Sequence, residues 1–332
     1  MDLPPDRSDA FDPAPGLRVG GRSSAVTLLG PQRLTPTLVK AVRAVGVEGD
    51  VAVVTAGWQE REEEVDELRD HLGGRVVNLR LYTRAEEVFR RDRGLARALR
   101  ARQDRLQRMQ ELYRIRLAHA MDAARELLIR GGDPEVLEPE REAAVAAIRE
   151  LDHVHLARVR AVHQEFDATF QPFGRPLLAR QRKELAALLD GCAAFAVAGG
   201  HVALLLNRLR LFGLAELVAG KPVFAWSGGA MVAGERLVLF HDDPPQGPGN
   251  AEVLESGLGL FTGLLPLPHG RRRLKLDDRL RVSLFARRFG DLACVAMDDG
   301  AILRRQDGRW LPVGGDGSRR LLPDGGVEEL TA

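Results

Sequence analysis

Cysteine is nearly missing from this chain. Its two residues, Cys192 and Cys294, give neither a disulfide framework nor a metal-ligand spacing, and a reduced compartment fits them. Also missing is any apolar run of the ~18 residues that a membrane span requires. Met1 to Arg22 has prolines and aspartates where a signal peptide would be apolar. That stretch reads as a disordered tail and the protein as cytoplasmic. An excess of one charge is lacking too: 48 Lys and Arg stand against 47 Asp and Glu. No global field would draw the chain to nucleic acid or to an anionic membrane. There is no internal repeat at solenoid or propeller period.

What is present is an alternation. Ser24 to Leu29, Val51 to Ala56 and Val76 to Leu81 are apolar runs bounded by turns. Between them, Thr35-Pro36 opens one helix, with Thr35 as N-cap, and Glu60 to Leu72 forms another. Near-continuous apolar strands alternating with helices predict an α/β fold, a mostly parallel sheet with helices on both faces. The rhythm resumes with a helix over Leu177 to Leu189, a strand over Ala193 to Ala198 and a helix beyond it. At 332 residues the chain could hold one large domain or two. The C-terminal third is β-rich. Arg236 to Phe240, Leu292 to Met297, Ala301 to Arg305 and Arg309 to Val313 are short segments, and Asp299-Gly300 and Asp307-Gly308 predict hairpin turns among them.

From Arg84 to Arg130 there is no proline and one glycine, Gly94. Leu99, Leu106, Tyr113, Ala120 and Leu127 recur every seven residues, and after Gly131-Gly132-Asp133-Pro134 a second helix carries Ile148, Leu151, Val159, Val162 and Phe166. This predicts an inserted helical hairpin with charged, solvated faces. Leu112, Ile115 and Leu117 lie off the stripe and need a further partner, either a second subunit, giving a homodimer, or the parent sheet. The hairpin is also expected to overhang the site described next. The divisions are 1–22 tail, 23–83 first part of the α/β domain, 84–175 insertion and 176–332 second part.

The stretch Val223-Phe224-Ala225-Trp226-Ser227-Gly228-Gly229-Ala230 has the grammar of a nucleophile elbow: buried strand, sharp turn with the nucleophile at its tip, then helix. The competing reading is an ordinary glycine-rich turn that contains a serine. An elbow serine needs a base and a group to orient that base. Downstream, His241-Asp242-Asp243-Pro244 and Pro268-His269-Gly270 make the order Ser227, Asp242, His269 available, with Asp243 and Glu255 competing for the acid. Gly199-Gly200, ending a neighbouring strand, could bring an N–H of Gly200 to an oxyanion beside that of Gly228. Arg271-Arg272-Arg273 is either a solvated loop or a receiver for a substrate carboxylate. Gly199-Gly200 lacks the further glycine of a dinucleotide fingerprint, and His153, His155 and His163 lack metal spacing. No cofactor and no metal are expected.

These motifs resemble the dipeptidase E and cyanophycinase family of serine peptidases, which share the class I glutamine amidotransferase-like fold. The residues that carry the likeness are Val197-Ala198-Gly199-Gly200-His201, Ala225 to Ala230, His241 to Pro244, Gly257-Leu258-Gly259-Leu260, Pro268-His269-Gly270 and Met297 to Ala301. The resemblance implies Ser227 as nucleophile, His269 as base, and Asp242, fifteen residues after the serine and two before a proline, as orienter. Gly199, His201 and Arg271 are the expected substrate contacts. Gly228 stands where alanine is usual, His201 where Asn or Asp is, and Val202 and Leu267-Pro268 replace cyanophycinase residues, which speaks against cyanophycin as substrate. The expected function is serine-type hydrolysis of a small peptide or amide. The alternatives are a silent ligand- or partner-binding member of the fold and an esterase of α/β-hydrolase type.

Overall fold

A computed structural model describes residues 25–240, 249–313 and 317–331. Strands β1 (Val26–Leu29), β2 (Val51–Val54), β3 (Val76–Asn78), β4 (Ala194–Val197) and β5 (Val223–Trp226) are parallel, in the order β1-β5-β4-β2-β3. β6 (Arg236–Leu239) and β7 (Glu252–Ser256) form a separate antiparallel ribbon. β8 (Leu264–Pro268) pairs in parallel with β9 (Ala293–Met297). β10 (Ile302–Gln306) and β11 (Arg309–Pro312) extend the first sheet antiparallel beyond β1. β12 (Ser318–Leu321) and β13 (Val327–Glu329) complete a second sheet, β13-β12-β9-β8. The architecture is thus α/β around a mostly parallel sheet, with a β-rich C-terminal part.

Every residue of β1, β2, β4 and β5 is buried. Alternate side chains enter opposite cores: Ala52, Val54, Phe195, Val197 and Ala225 on one face, Val51, Val53, Ala196, Phe224 and Trp226 on the other. Period-two burial on both faces is why these strands read as unbroken apolar runs.

The helices are α1 (Leu38–Ala44), α2 (Asp66–His71), α3 (Leu81–Arg91), α4 (Arg93–Ile129), α5 (Pro134–Phe170), α6 (Pro176–Asp190), α7 (Val202–Leu211), α8 (Leu214–Leu217), α9 (Gly228–Ala233), α10 (Gly270–Arg273) and α11 (Arg279–Arg288). Among the described residues none is long and apolar enough to cross a membrane. Several boundaries differ from expectation. α1 is not capped by Thr35; Gln32 Oε1 accepts from Thr37 N and Leu38 N, both at 2.8 Å. The helix expected from Glu60 is a 3₁₀ turn over Ala56–Arg61 broken at Gln59 (φ 61°), followed by the shorter α2. The helix expected from Arg84 begins at Leu81 and breaks at Asp92, whose side chain caps α4 through Leu95 N at 2.9 Å.

The α4–α5 hairpin packs on α11 and β7. Its buried stripe on α4 runs through Gln110, Tyr113, Leu117, Met121 and Ala124, steps of three and four that include a glutamine. Of the sevenfold set only Tyr113 is buried. Leu117 therefore has its partner within the chain, while Leu112 and Ile115 stay 65% and 59% exposed. A buried arginine fastens the hairpin. Arg288 donates to both Asp152 oxygens (2.7 Å each), to Tyr113 Oη (2.9 Å) and to Ala251 O (2.6 Å). Tyr113 Oη donates in turn to Asp152 at 2.7 Å and accepts from Val253 N at 3.2 Å. At the hairpin's foot Arg175 grips Asp92, with Nη2 to Oδ1 at 2.7 Å.

Candidate active site

The central strand β5 ends at Ser227, whose backbone has φ 50° and ψ −127°. A non-glycine residue in that region is strained, and it is the turn that an elbow requires. All of α9, which follows, is buried, so the serine sits at the point where the strand is forced to reverse. Close approach explains the glycines. A Cβ on Gly199, at the end of adjacent β4, would lie 2.7 Å from Ser227 Cβ, and one on Gly228 would lie 2.7 Å from Val202 Cγ1. Gly200 has φ +114°, and a side chain there would collide with the Gly57 carbonyl. Among the described residues the N–H groups of Gly200 and Gly228 have no protein acceptor.

His269 follows directly on β8. Its N–H donates to Met297 O at 2.9 Å, and its left-handed backbone (φ 60°, ψ 40°) turns the chain into α10. This places its Nε2 3.2 Å from Ser227 Oγ. Half-burial lowers the imidazole pKa below its ordinary value. The cations Arg273 and Arg272 push the same way, and Asp299 and Asp298 push back. The histidine is therefore neutral near pH 7, with a nitrogen free to take the serine proton.

The expected acid falls outside this picture, since Asp242 and Asp243 lie in 241–248, outside the described residues. Glu255 is not against His269. It is 6% exposed and bonded to His163 Nε2 at 2.8 Å and to Arg210. Burial opposes its charge, yet those two partners hold its pKa below the ordinary carboxylate value. Two carboxylates unforeseen as site residues, Asp298 and Asp299, join a cavity of about 600 Å³ that opens beside His269. Asp298 accepts from Arg271 N and from Arg319 Nη1, both at 3.0 Å. Arg33, Arg271 and Arg272 line the same cavity. The other expected contact, His201, is exposed and accepts from Leu204 N through Nδ1 at 3.2 Å, capping α7. Among the described residues the hairpin lends none to this cavity, so the expected overhang is not found there.

No family model matches the chain, and no curated protein matches it. Among solved structures, a peptidase from an acI-B1 Actinobacterium is similar, at 15% identity and a TM-score of 0.46, with 93% of this chain and 94% of that chain covered. A likeness at that level assigns neither activity nor substrate.

The unforeseen acids reach the site because the Asp299-Gly300 turn does not close a hairpin. It links β9 in the second sheet to β10 in the first, and Gly30, at the end of β1, leaves no room for a Cβ against the Asp298 carbonyl. A side chain at residue 30 would press on the Asp298 backbone at the point where the acids enter. The signal available in the sequence was the pair of aspartates before a glycine, directly after the apolar run Leu292 to Met297 that contains β9.

Proposed function

We propose that this protein is a serine-type peptidase or amidohydrolase of the dipeptidase E and cyanophycinase kind, with the class I glutamine amidotransferase-like fold. It would cleave a small peptide through an acyl-enzyme at Ser227. The observation that carries the reading is the 3.2 Å approach of His269 Nε2 to Ser227 Oγ, with the serine held in a backbone conformation that exposes it at the end of a central strand.

The chemistry follows from the groups present. As Oγ attacks the substrate carbonyl carbon, its proton passes to His269 Nε2 and the carbonyl π pair moves onto oxygen. The free N–H groups of Gly200 and Gly228 are the donors proposed for that oxyanion. His269 then returns the proton to the leaving amine as the C–N bond breaks. Water, deprotonated by the same imidazole, hydrolyses the acyl ester and restores the serine. Asp242 is retained as the proposed orienter of His269. Arg271 supplies the proposed cation for a substrate carboxylate, with Gly199 and the free Nε2 edge of His201 bordering the scissile bond.

The test is reaction with a fluorophosphonate probe followed by peptide mapping. Labelling at Ser227, lost in Ser227→Ala together with about 10³-fold or more of kcat, is expected. An unlabelled, folded wild-type protein would favour the silent, ligand-binding reading instead.

A further inference from the structure

A second cleft, of about 530 Å³, lies between the hairpin and the corner where α7 meets α8, and it shares no lining residue with the cavity beside His269. Its size suits a small molecule. One wall is apolar and partly aromatic, built from Phe166, Phe173, Leu209, Leu214 and Leu258. Arg102, Arg160 and Arg210 line the cleft as well, together with Asp167 and Glu216, and the pairing of the guanidinium groups is uneven.

Arg210 is matched by Glu255, and Arg182, outside the lining, stacks 3.8 Å from the Phe173 centroid and reaches Glu216 at 3.3 Å. Arg160 gives Nε to the neutral Ser256 Oγ at 2.8 Å. Arg102 lies 4.4 Å above the Phe166 ring, and its Nε is shut off from solvent with no acceptor. Asp167 and Glu255 act on Arg102 only through their fields, which partly offset the lowering of its pKa by burial. Arg208, equally enclosed, also has an Nε without an acceptor, but its Nη2 finds Glu86 at 3.1 Å. A guanidinium presents a planar fork of five donors. One held at a cleft wall without an acceptor is stabilised by whatever acceptor the cleft admits.

We propose that this cleft binds a small molecule with an anionic head, carboxylate or phosphate, on a flat apolar body. The forks of Arg102 and Arg160 hold the head, and Phe166 and Phe173 cover the body. Planar bidentate recognition is the geometry in which arginine exceeds lysine, and the aromatic wall would be wasted on a bare ion. The site belongs to the hairpin and the α7–α8 corner together, which gives the insertion a task separate from the serine.

Isothermal titration of the full chain with phenyl phosphate, phenylacetate and inorganic phosphate tests this without requiring turnover, and so independently of the hydrolase reading. One saturable site is expected, tighter for an aromatic anion than for inorganic phosphate, with the better aromatic probe identifying the head. Arg102→Gln and Arg160→Gln should each weaken it about tenfold or more, and Arg271→Gln, in the other cavity, should not. If Arg102→Gln does not fold, Arg102→Lys keeps the charge and loses the fork, and should weaken binding as well. Four results overturn the proposal: no saturable binding of any probe, affinity unchanged by changes at both arginines, loss of binding in Arg271→Gln, or inorganic phosphate bound as tightly as phenyl phosphate.

Discussion

Ser227 is held at φ 50° and ψ −127°, where a Cβ is unwelcome. Such a conformation costs on the order of 1–3 kcal/mol, and glycine escapes it at the expense of a more flexible unfolded chain. Ser227→Gly and Ser227→Ala both lose the hydroxyl and its bond to His269, so their difference isolates the backbone. Ser227→Gly should be the more stable by about 1 kcal/mol, read by chemical denaturation; equal stabilities would mean the turn stores no strain. His269 offers a second prediction. Burial, Arg273 and Arg272 depress its pKa, so the neutral base persists below pH 6.5, and kcat/KM should fall only at lower pH. Arg273→Gln removes a depressing cation and should move that acid limb to higher pH. Asp299→Asn removes an opposing anion and should move it lower. Shifts in the same direction would show that these charges do not act on the catalytic proton. The linked stability has the same sign: it is whole above the unfolded histidine's pKa and is lost as pH falls through that value towards the depressed folded one.

Among the elements, the hairpin depends on one buried ion pair. Arg288 is 2% exposed and Asp152 5%. Asp152→Ala would leave the guanidinium enclosed without its carboxylate, a loss of about 3–5 kcal/mol. The double change Asp152→Leu with Arg288→Met should recover most of it, and a melt in which the double variant is no better than the single would refute the pairing argument. The elements were legible where one physical rule dominated. Buried parallel strands announced themselves as β1, β2, β4 and β5, and Asp133-Pro134 marked the start of α5, where Asp133 accepts from Glu135 N. Asp307-Gly308, with positive φ at both residues, closed the β10–β11 hairpin as expected. Legibility failed where partners come from afar. β8 carries Pro266 and Pro268, which argue against a strand. Among the described residues it is nonetheless an edge strand, pairing only with β9, so alternate residues can lack an N–H on its outer side. Of the site, Ser227 and His269 could be singled out because turn chemistry surrounds both. Asp298 and Asp299 could not, because only the joining of two sheets brings them to the histidine.

In the whole molecule, strands from the two halves of the chain are interleaved. β1, β2 and β3 precede the hairpin tip and the others follow it. Yet the first sheet runs β11-β10-β1-β5-β4-β2-β3, so the pairs β10 with β1, β1 with β5 and β4 with β2 each join a strand from before the tip to one from after it. The tip itself, Gly131-Gly132, is exposed and can be given a protease site. Cutting there would make two polypeptides and sever no ladder. The nicked protein should behave as an obligate heterodimer of fragments 1–131 and 132–332, eluting at the mass of the intact chain in gel filtration and parting only in denaturant. Neither fragment should keep a complete sheet once separated, so covalent continuity at the tip is dispensable after folding while the three shared ladders are not.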